Sequence, residues 1–154
     1  MTRRELIDYC LTYADAYEDY PFHDDPSAGK AWAAIRHKKN KKAFAFIYER
    51  DGLCVNLKCE PMRADFLRQV HTGVTPAYHM NKQHWNTVAI GSDVSDEDLH
   101  RMIEHSFCLT MPKDIKQQRT TSTLPGKPGN GIATRSLEHG AIGTNNKTGK
   151  YQRK

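Results

Sequence analysis

Two alternating apolar segments joined by Asp51-Gly52 constrain the fold of this chain more than any other feature. Residues 43–50 and 53–59 alternate with the period of a β-strand. Their common faces are Phe44, Phe46 and Tyr48 in one segment and Leu53, Val55 and Leu57 in the other. Asp and Gly accept the positive φ angles that a type I′ hairpin turn requires. Together with residues 31–38, the two segments predict an antiparallel three-stranded meander, and residues 86–91 predict a further strand.

Three amphipathic segments flank these strands and predict three helices. The first covers residues 3–16 and begins at a capping box, in which the Thr2 hydroxyl and the Glu5 carboxylate satisfy free backbone N–H groups. The second begins at Pro61 and ends near residue 71, and the third follows Ser95. In the second helix we expect one apolar stripe to be buried: Met62, Phe66, Leu67 and Val70. Helices and hairpin-linked strands in this order indicate an α+β fold.

The positive charge of the chain is concentrated at its C-terminal end. The 154 residues include 23 Lys and Arg against 18 Asp and Glu, for a net charge of +5 and a pI of about 9.0. Residues 1–112 hold 14 basic and 16 acidic side chains, whereas residues 113–154 hold 9 basic and 2 acidic ones. The C-terminal segment is also rich in glycine, and its apolar residues follow no regular period. We predict one folded domain over 1–112 and a disordered tail over 113–154, either a solubilising appendage or an arm that attracts polyanions.

Several classes of function lack their sequence signals. No apolar run approaches the roughly 18–20 residues of a membrane span, and the N-terminus has no signal-peptide pattern, so we expect a cytoplasmic protein with no membrane contact. The four cysteines, and His71, His79 and His84, lie at spacings that match no zinc site. An enzyme acting through His79 and His84 would lack a nucleophile or a metal partner. We therefore expect no metal, no cofactor and no enzymatic activity.

The turn between the first two strands of the meander is strongly basic. Five cations and a histidine fall within residues 36–42, here called the basic turn, and the cations are Arg36, Lys38, Lys39, Lys41 and Lys42. At the tip of a two-stranded ribbon these side chains can lie along a phosphate backbone and release its condensed counterions. The alternative is a charged tip that keeps the hairpin soluble and blocks edge pairing.

A second candidate anion site lies before the last strand. Asn81 is a good N-cap residue, so a short helical turn over 82–85 would present free N–H groups with Lys82 beside them. We expect Trp85 to anchor this turn on the sheet. The alternative is that the segment only packs the turn before the strand, with Trp85 as a core residue.

Residues 75–88 read Thr-Pro-Ala-Tyr-His-Met-Asn-Lys-Gln-His-Trp-Asn-Thr-Val, which resembles the signature of the MmcQ/YjbR family of small bacterial proteins. The resemblance covers about residues 1–112. It implies a two-layer α/β fold with a central antiparallel sheet and helices packed on one face, similar to frataxin/CyaY and to secretion chaperones. It also implies DNA binding through a double-wing motif. One wing would be the basic turn, and the other would contain Asn81, Lys82 and His84.

Two functional hypotheses follow. The first is a non-enzymatic DNA-binding protein that contacts phosphates with little sequence specificity. The second is a protein-binding, chaperone-like module that uses the open face of the sheet.

Overall fold

The computed structural model describes residues 1–22, 24 and 32–114. Apart from residues 113 and 114, the predicted tail lies outside the described residues. In chain order the elements are α1 (Arg3–Leu11), β1 (Ala16–Asp19), β2 (Ala33–His37), β3 (Ala43–Glu49), β4 (Leu53–Lys58), α2 (Pro61–Val70), β5 (Val74–Pro76), β6 (Trp85–Ala89) and α3 (Asp96–Thr110). The strands form one antiparallel sheet in the order β1-β2-β3-β4-β6-β5. This architecture confirms the predicted α+β fold.

The helix starts follow the predicted caps. The Thr2 hydroxyl accepts a hydrogen bond from the Glu5 backbone at 3.2 Å, and the Glu5 carboxylate accepts one from the Thr2 backbone at 2.6 Å. Pro61 occupies the first turn of α2, and the Ser95 hydroxyl accepts from the Asp98 N–H at 3.1 Å at the start of α3. Among the described residues, none of the helices has the length and apolarity needed to cross a bilayer.

The helices cover one face of the sheet and enclose the core. Helices α1 and α3 pack against the central strands, and α2 packs beside β5. The fully buried side chains at the centre of this layer are Leu6, Cys10, Ile35, Phe44, Ile47, Val55 and Ile103. The other face of the sheet carries no helix in the described part of the chain, and it is called the open face below.

A β-bulge places Phe44 on the core face of the sheet. The alternation of β3 predicts instead that Phe44 shares a face with Phe46 and Tyr48. The register between β2 and β3 shifts at Ile35/Arg36, so Ile35 pairs with Ala45 while Arg36 pairs with Ala43. Phe44 is the additional residue, and its ring packs edge-on against Phe107 of α3 at 5.1 Å. A bulge breaks the two-residue period, which is why alternation alone misplaced Phe44.

The predicted buried stripe of α2 is wrong. Met62, Phe66 and Val70 are 87%, 59% and 49% exposed. The buried residue of this helix is Ala64, and Leu67 is half-buried against the core. Helical spacing identified an apolar face, but the edge position of α2 turns that face away from the sheet.

Two short strands were not predicted. The first helix ends at Leu11 rather than near residue 16. Asp15 then adopts a positive φ of 57°, and the chain enters β1 at Ala16. Strand β5 is three residues long and pairs only with β6. Both are edge strands too short to show a period in the sequence.

Candidate functional site

The basic turn is a closed, hydrogen-bonded connection between β2 and β3. The His37 N–H donates to the Lys42 carbonyl oxygen at 2.9 Å, and the Lys41 N–H donates to the His37 carbonyl oxygen at 2.9 Å. Lys41 adopts a positive φ of 61°, which closes the turn without a glycine. The Asn40 amide holds the turn against the end of α3 by donating to the Thr110 carbonyl oxygen at 2.9 Å.

Three of the five cations have partners among the described residues. The Arg36 Nε lies 2.7 Å from the Asp19 carboxylate on β1, and Lys39 forms an ion pair with Asp114. The Lys41 Nζ lies 5.1 Å from the centre of the Tyr17 ring, a cation–π contact. These contacts reduce the positive potential that the sequence alone would assign to this turn.

The remaining two cations face solvent. Lys38 and Lys42 are exposed, and within the described ranges no carboxylate lies within ion-pair distance of either ammonium group. They flank the tip of the turn, so the two ammonium groups without an acidic partner among the described residues lie at the end of the β2–β3 ribbon.

The second predicted wing, residues 81–84, is an exposed turn rather than a helical one. The Asn81 side-chain oxygen accepts from the Gln83 N–H at 2.9 Å, and the His84 N–H donates to the Asn81 carbonyl oxygen at 3.2 Å. Strand β6 already begins at Trp85, which leaves no room for a helix. Asn81, Lys82 and His84 are all exposed.

The two wings leave the sheet at the same end. Ala45, near the start of β3, pairs with Leu57, and Lys58 pairs with Trp85 at the start of β6. The basic turn and residues 81–84 are therefore separated at this end by strand β4, a distance of about 10 Å in two strand spacings. The structure does not bring their side chains into contact in any interaction it records.

An aromatic cluster on the open face lies between β2 and β6. The Trp32 ring stacks on the Tyr48 ring with centroids 4.0 Å apart and an angle of 4° between planes. The Phe46 ring packs between the two tryptophans, with its centroid 6.4 Å from the Trp32 ring centroid and 5.8 Å from the Trp85 ring centroid. Trp32, Phe46 and Trp85 remain half-buried. The alternation of β3 indicated Phe46 and Tyr48, and we expected Trp85 to pack on the sheet, but no sequence signal indicated that Trp32 would join them.

A cavity of about 380 Å³ opens beside this cluster and is called the open-face cavity. It lies between the β3–β4 connection and the loop over residues 77–84, and its lining includes Tyr48, Arg50, Asp51, Cys54, Thr75, Tyr78, Lys82 and Thr87. Sequence reasoning assigned only Lys82 to a site. Because Glu49 pairs with Leu53, the β3–β4 connection is three residues long and includes Arg50. The sequence predicts a two-residue type I′ turn at this place. Arg50 and Asp51 of the longer connection both line the cavity. Asp51 and Gly52 have the expected positive φ, at 50° and 121°.

A buried hydrogen-bond network forms the floor of this cavity. The Asn56 side-chain oxygen accepts from the Tyr48 hydroxyl at 2.9 Å and from the Thr87 hydroxyl at 2.6 Å. The Asn56 amide donates to the Tyr78 carbonyl oxygen at 3.0 Å, and the Tyr78 N–H donates to the Thr87 hydroxyl at 3.1 Å. Burial raises the pKa of the Tyr48 phenol, so this hydroxyl stays protonated and serves as a donor.

Three of the cysteine thiols have raised pKa values. Burial raises the pKa of the Cys10 thiol to about 12 and also raises the pKa values of Cys54 and Cys59. A thiol with a raised pKa is a poor nucleophile and a poor metal ligand at neutral pH. In the part of the chain that the structure describes, no three His, Cys, Asp or Glu side chains are grouped so that they could hold a metal ion.

Comparison with known proteins identifies the family. The family model named YjbR matches residues 11–109, which is more than half of the chain. The chain belongs to the YjbR family. It is 32% identical over 108 residues to "Uncharacterized protein YjbR" of Escherichia coli (strain K12), covering 70% of this chain and 85% of that protein. It is 31% identical over 121 residues to "Uncharacterized protein YyaQ" of Bacillus subtilis (strain 168), covering 71% and 98%.

Solved structures agree with the YjbR assignment. A crystal structure of a Pseudomonas syringae protein is 33% identical with a TM-score of 0.62, and the match covers 72% of this chain and all (100%) of that one. The crystal structure of Deinococcus radiodurans protein DR2400, a DUF419 domain, is 28% identical with a TM-score of 0.63, covering 84% and 94%. These likenesses support the sequence resemblance to the MmcQ/YjbR family and the α+β fold that it implied.

Proposed function

We propose that this YjbR-family protein is a non-enzymatic DNA-binding protein that contacts the phosphate backbone through the basic turn. The observation that carries the proposal is the exposed pair Lys38 and Lys42 at the tip of the β2–β3 ribbon, without an acidic partner among the described residues. Exposed ammonium groups at this turn can reach adjacent phosphates and release counterions.

The ion pairs of the turn set the expected strength of binding. Arg36 and Lys39 are paired with Asp19 and Asp114, so these two cations gain less from a phosphate contact than free cations would. The domain contribution is then about two to three phosphate contacts, which corresponds to a slope of roughly −2 to −3 in log K against log salt concentration. Such binding is weak and independent of base sequence, because phosphates carry no direct sequence information.

The second wing extends the proposed DNA-contacting surface at the same end of the sheet. Asn81, Lys82 and His84 are exposed beside the start of β6, one strand away from the ribbon that carries the basic turn. A duplex lying across this end would meet both turns. The cytoplasmic location stays a prediction.

The test is a fluorescence-anisotropy titration of a labelled DNA duplex with the full 154-residue chain at several salt concentrations. The variant Lys38→Gln/Lys42→Gln should weaken binding and make the salt slope shallower by about two. Arg101→Gln on α3 is the matched control, because Arg101 is an exposed cation of the helical layer. No binding at low salt, or equal losses in the turn variant and the control, would reject the proposal.

A second candidate function, protein binding at the open face, is favoured by the half-buried aromatic cluster of Trp32, Phe46 and Trp85. Large aromatic side chains are enriched in protein interfaces. A photo-crosslinking amino acid placed at Phe46 in cells should form a discrete protein adduct, whereas the same group at Arg101 should not. Equal labelling from the two positions would count against this function.

A further inference from the structure

We propose that the open-face cavity binds a small molecule that carries a phosphate monoester, with Arg50 and Lys82 as the residues that hold the phosphate. The cavity shares Lys82 with the second wing, but none of its lining residues belongs to the basic turn, so the assignment does not depend on DNA binding there. It rests on the shape of the cavity, its charge, and the way in which Arg50 is positioned.

The cavity has the dimensions of a ligand site. Its volume of about 380 Å³ lies in the range of about 300–1,000 Å³ found for small-molecule pockets, and exceeds the needs of a bare anion. Its lining combines aromatic rings of Tyr48 and Tyr78 with the hydroxyl-bearing residues Thr75 and Thr87. A phosphate at its mouth would leave space for an organic group against the aromatic residues.

The charge of the lining favours an anion. Arg50 and Lys82 both line the cavity, and no carboxylate among the described residues lies within 4.0 Å of either cationic group. The lining contains one acid, Asp51, so two cations face one carboxylate. Two cations in one cavity lining suit a monoester, which carries a charge of about −1.5 to −2 at neutral pH, better than a singly charged diester.

Arg50 is held in place by an aromatic ring rather than by an acid. Its guanidinium carbon lies 3.8 Å from the centre of the Tyr78 ring. A ring contact of this kind does not pair the guanidinium N–H donors with a carboxylate, and these donors match phosphate oxygens in a bidentate arrangement.

The ring that orients Arg50 is itself fixed. Asn56 donates to the Tyr78 carbonyl oxygen, and the Thr87 hydroxyl accepts from the Tyr78 N–H, so both backbone polar groups of Tyr78 are bonded to the sheet. Asn56 has no exposed surface and Thr87 is 8% exposed, which makes this support rigid. An oriented cation loses less conformational entropy on binding, so a site built in this way needs fewer contacts to reach a given affinity.

The experiment is an NMR titration of the ¹⁵N-labelled full chain at constant ionic strength, with three probes. These are inorganic phosphate, phenyl phosphate as a monoester, and a single-stranded oligonucleotide as a source of diester phosphates. We expect saturable shifts of the Asp51, Thr75 and Lys82 amides with phenyl phosphate, and weaker binding of inorganic phosphate at the same amides. Arg50→Gln and Lys82→Gln should each weaken binding about tenfold or more, the loss of at least one charge-assisted hydrogen bond. Arg101→Gln should leave the affinity unchanged.

Specific results would overturn the proposal. One is the absence of saturable shifts at these amides with phenyl phosphate, and another is an equal loss of affinity in the Arg101→Gln control. A third is binding of the oligonucleotide at the cavity without binding of phenyl phosphate, which would assign the site to nucleic acid instead. Arg50→Lys separates geometry from charge, because it keeps the cation and should still weaken binding by losing the bidentate fork. Failure of the basic-turn variants to affect duplex binding would leave these outcomes unchanged.

Discussion

The side-chain amide of Asn56 on β4 donates a 3.0 Å hydrogen bond to the carbonyl oxygen of Tyr78, 22 residues further along the chain. This bond fastens the loop that precedes β6 to the open face of the sheet. It also closes a network in which the Asn56 side-chain oxygen accepts from two buried hydroxyls. The position of Arg50 above the Tyr78 ring depends on this attachment.

Replacing Asn56 should therefore destabilise the protein strongly. Asn56→Leu removes the acceptor of the Tyr48 and Thr87 hydroxyls, which keep only their mutual 3.2 Å hydrogen bond, and it leaves the Tyr78 carbonyl oxygen without its donor. We expect a loss of about 2–4 kcal/mol in the free energy of unfolding, measured by urea denaturation. Tyr48→Phe removes a single hydroxyl from the same network and should cost less. If Asn56→Leu and Tyr48→Phe have equal small effects, the network does not stabilise the loop.

The same substitution at two phenylalanines tests the placement of α2. Phe44→Ala empties a fully buried position and should lower the free energy of unfolding by about 3–5 kcal/mol. Phe66→Ala alters a side chain that is 59% exposed and should change the free energy of unfolding by less than about 1 kcal/mol. Chemical denaturation of both variants is the measurement, and a large loss for Phe66→Ala would show that this face of α2 is covered.

The cap of α3 should be worth about 1 kcal/mol. Ser95→Ala removes the hydroxyl that accepts from the Asp98 N–H and leaves that donor without its partner. Ser95→Thr keeps the hydroxyl that accepts from the Asp98 N–H and donates to the Asp98 carboxylate, and should retain stability within about 0.5 kcal/mol. Thermal unfolding of the two variants distinguishes them, and equal losses would indicate that packing rather than capping determines the effect.

Asp93 should contribute to the acid sensitivity of the fold. Hydrogen bonds from the Gly73 and Thr72 N–H groups to its carboxylate hold the pKa of Asp93 below its ordinary value. A group with a lowered folded-state pKa stabilises the protein above its unfolded pKa of about 3.9 and loses that contribution as the pH falls through its folded pKa. Asp93→Asn should therefore be less stable than the parent at pH 7, and the difference should shrink below about pH 4.

Urea midpoints measured across this pH range test the prediction. Asp65→Asn is the control, because Asp65 is exposed on α2 and pairs only with Arg68 in the interactions recorded for it. A difference between Asp93→Asn and the parent that stays constant from neutral to acidic pH would contradict the assignment.

Local patterns predicted much of this structure. Alternation and the Asp51-Gly52 pair predicted the β3–β4 hairpin, and the caps at Thr2 and Ser95 predicted two helix starts, all of which the structure confirms. These features depend on neighbouring residues and on backbone preferences that a short window contains. The resemblance of residues 75–88 to a known signature predicted the family, and the family model that matches residues 11–109 confirms it.

The candidate site was less predictable, because each part of it joins distant segments. The basic turn was visible as a run of cations, but its pairing with Asp19 and Asp114 follows from the positions of β1 and the end of α3. The open-face cavity had no sequence signal, since Arg50 and Lys82 are 32 residues apart and line one cavity only through the order of strands β3, β4 and β6.

The sequence by itself determined where the strands turn, where two helices begin, and which segment concentrates positive charge. Only the tertiary structure decided which cations of the basic turn form ion pairs, which apolar faces are covered, and which residues line a cavity. The physical reason is range. Backbone preferences and side-chain periodicity act over a few residues, whereas ion pairing, burial and cavity formation depend on contacts between strands and helices that are far apart in the chain.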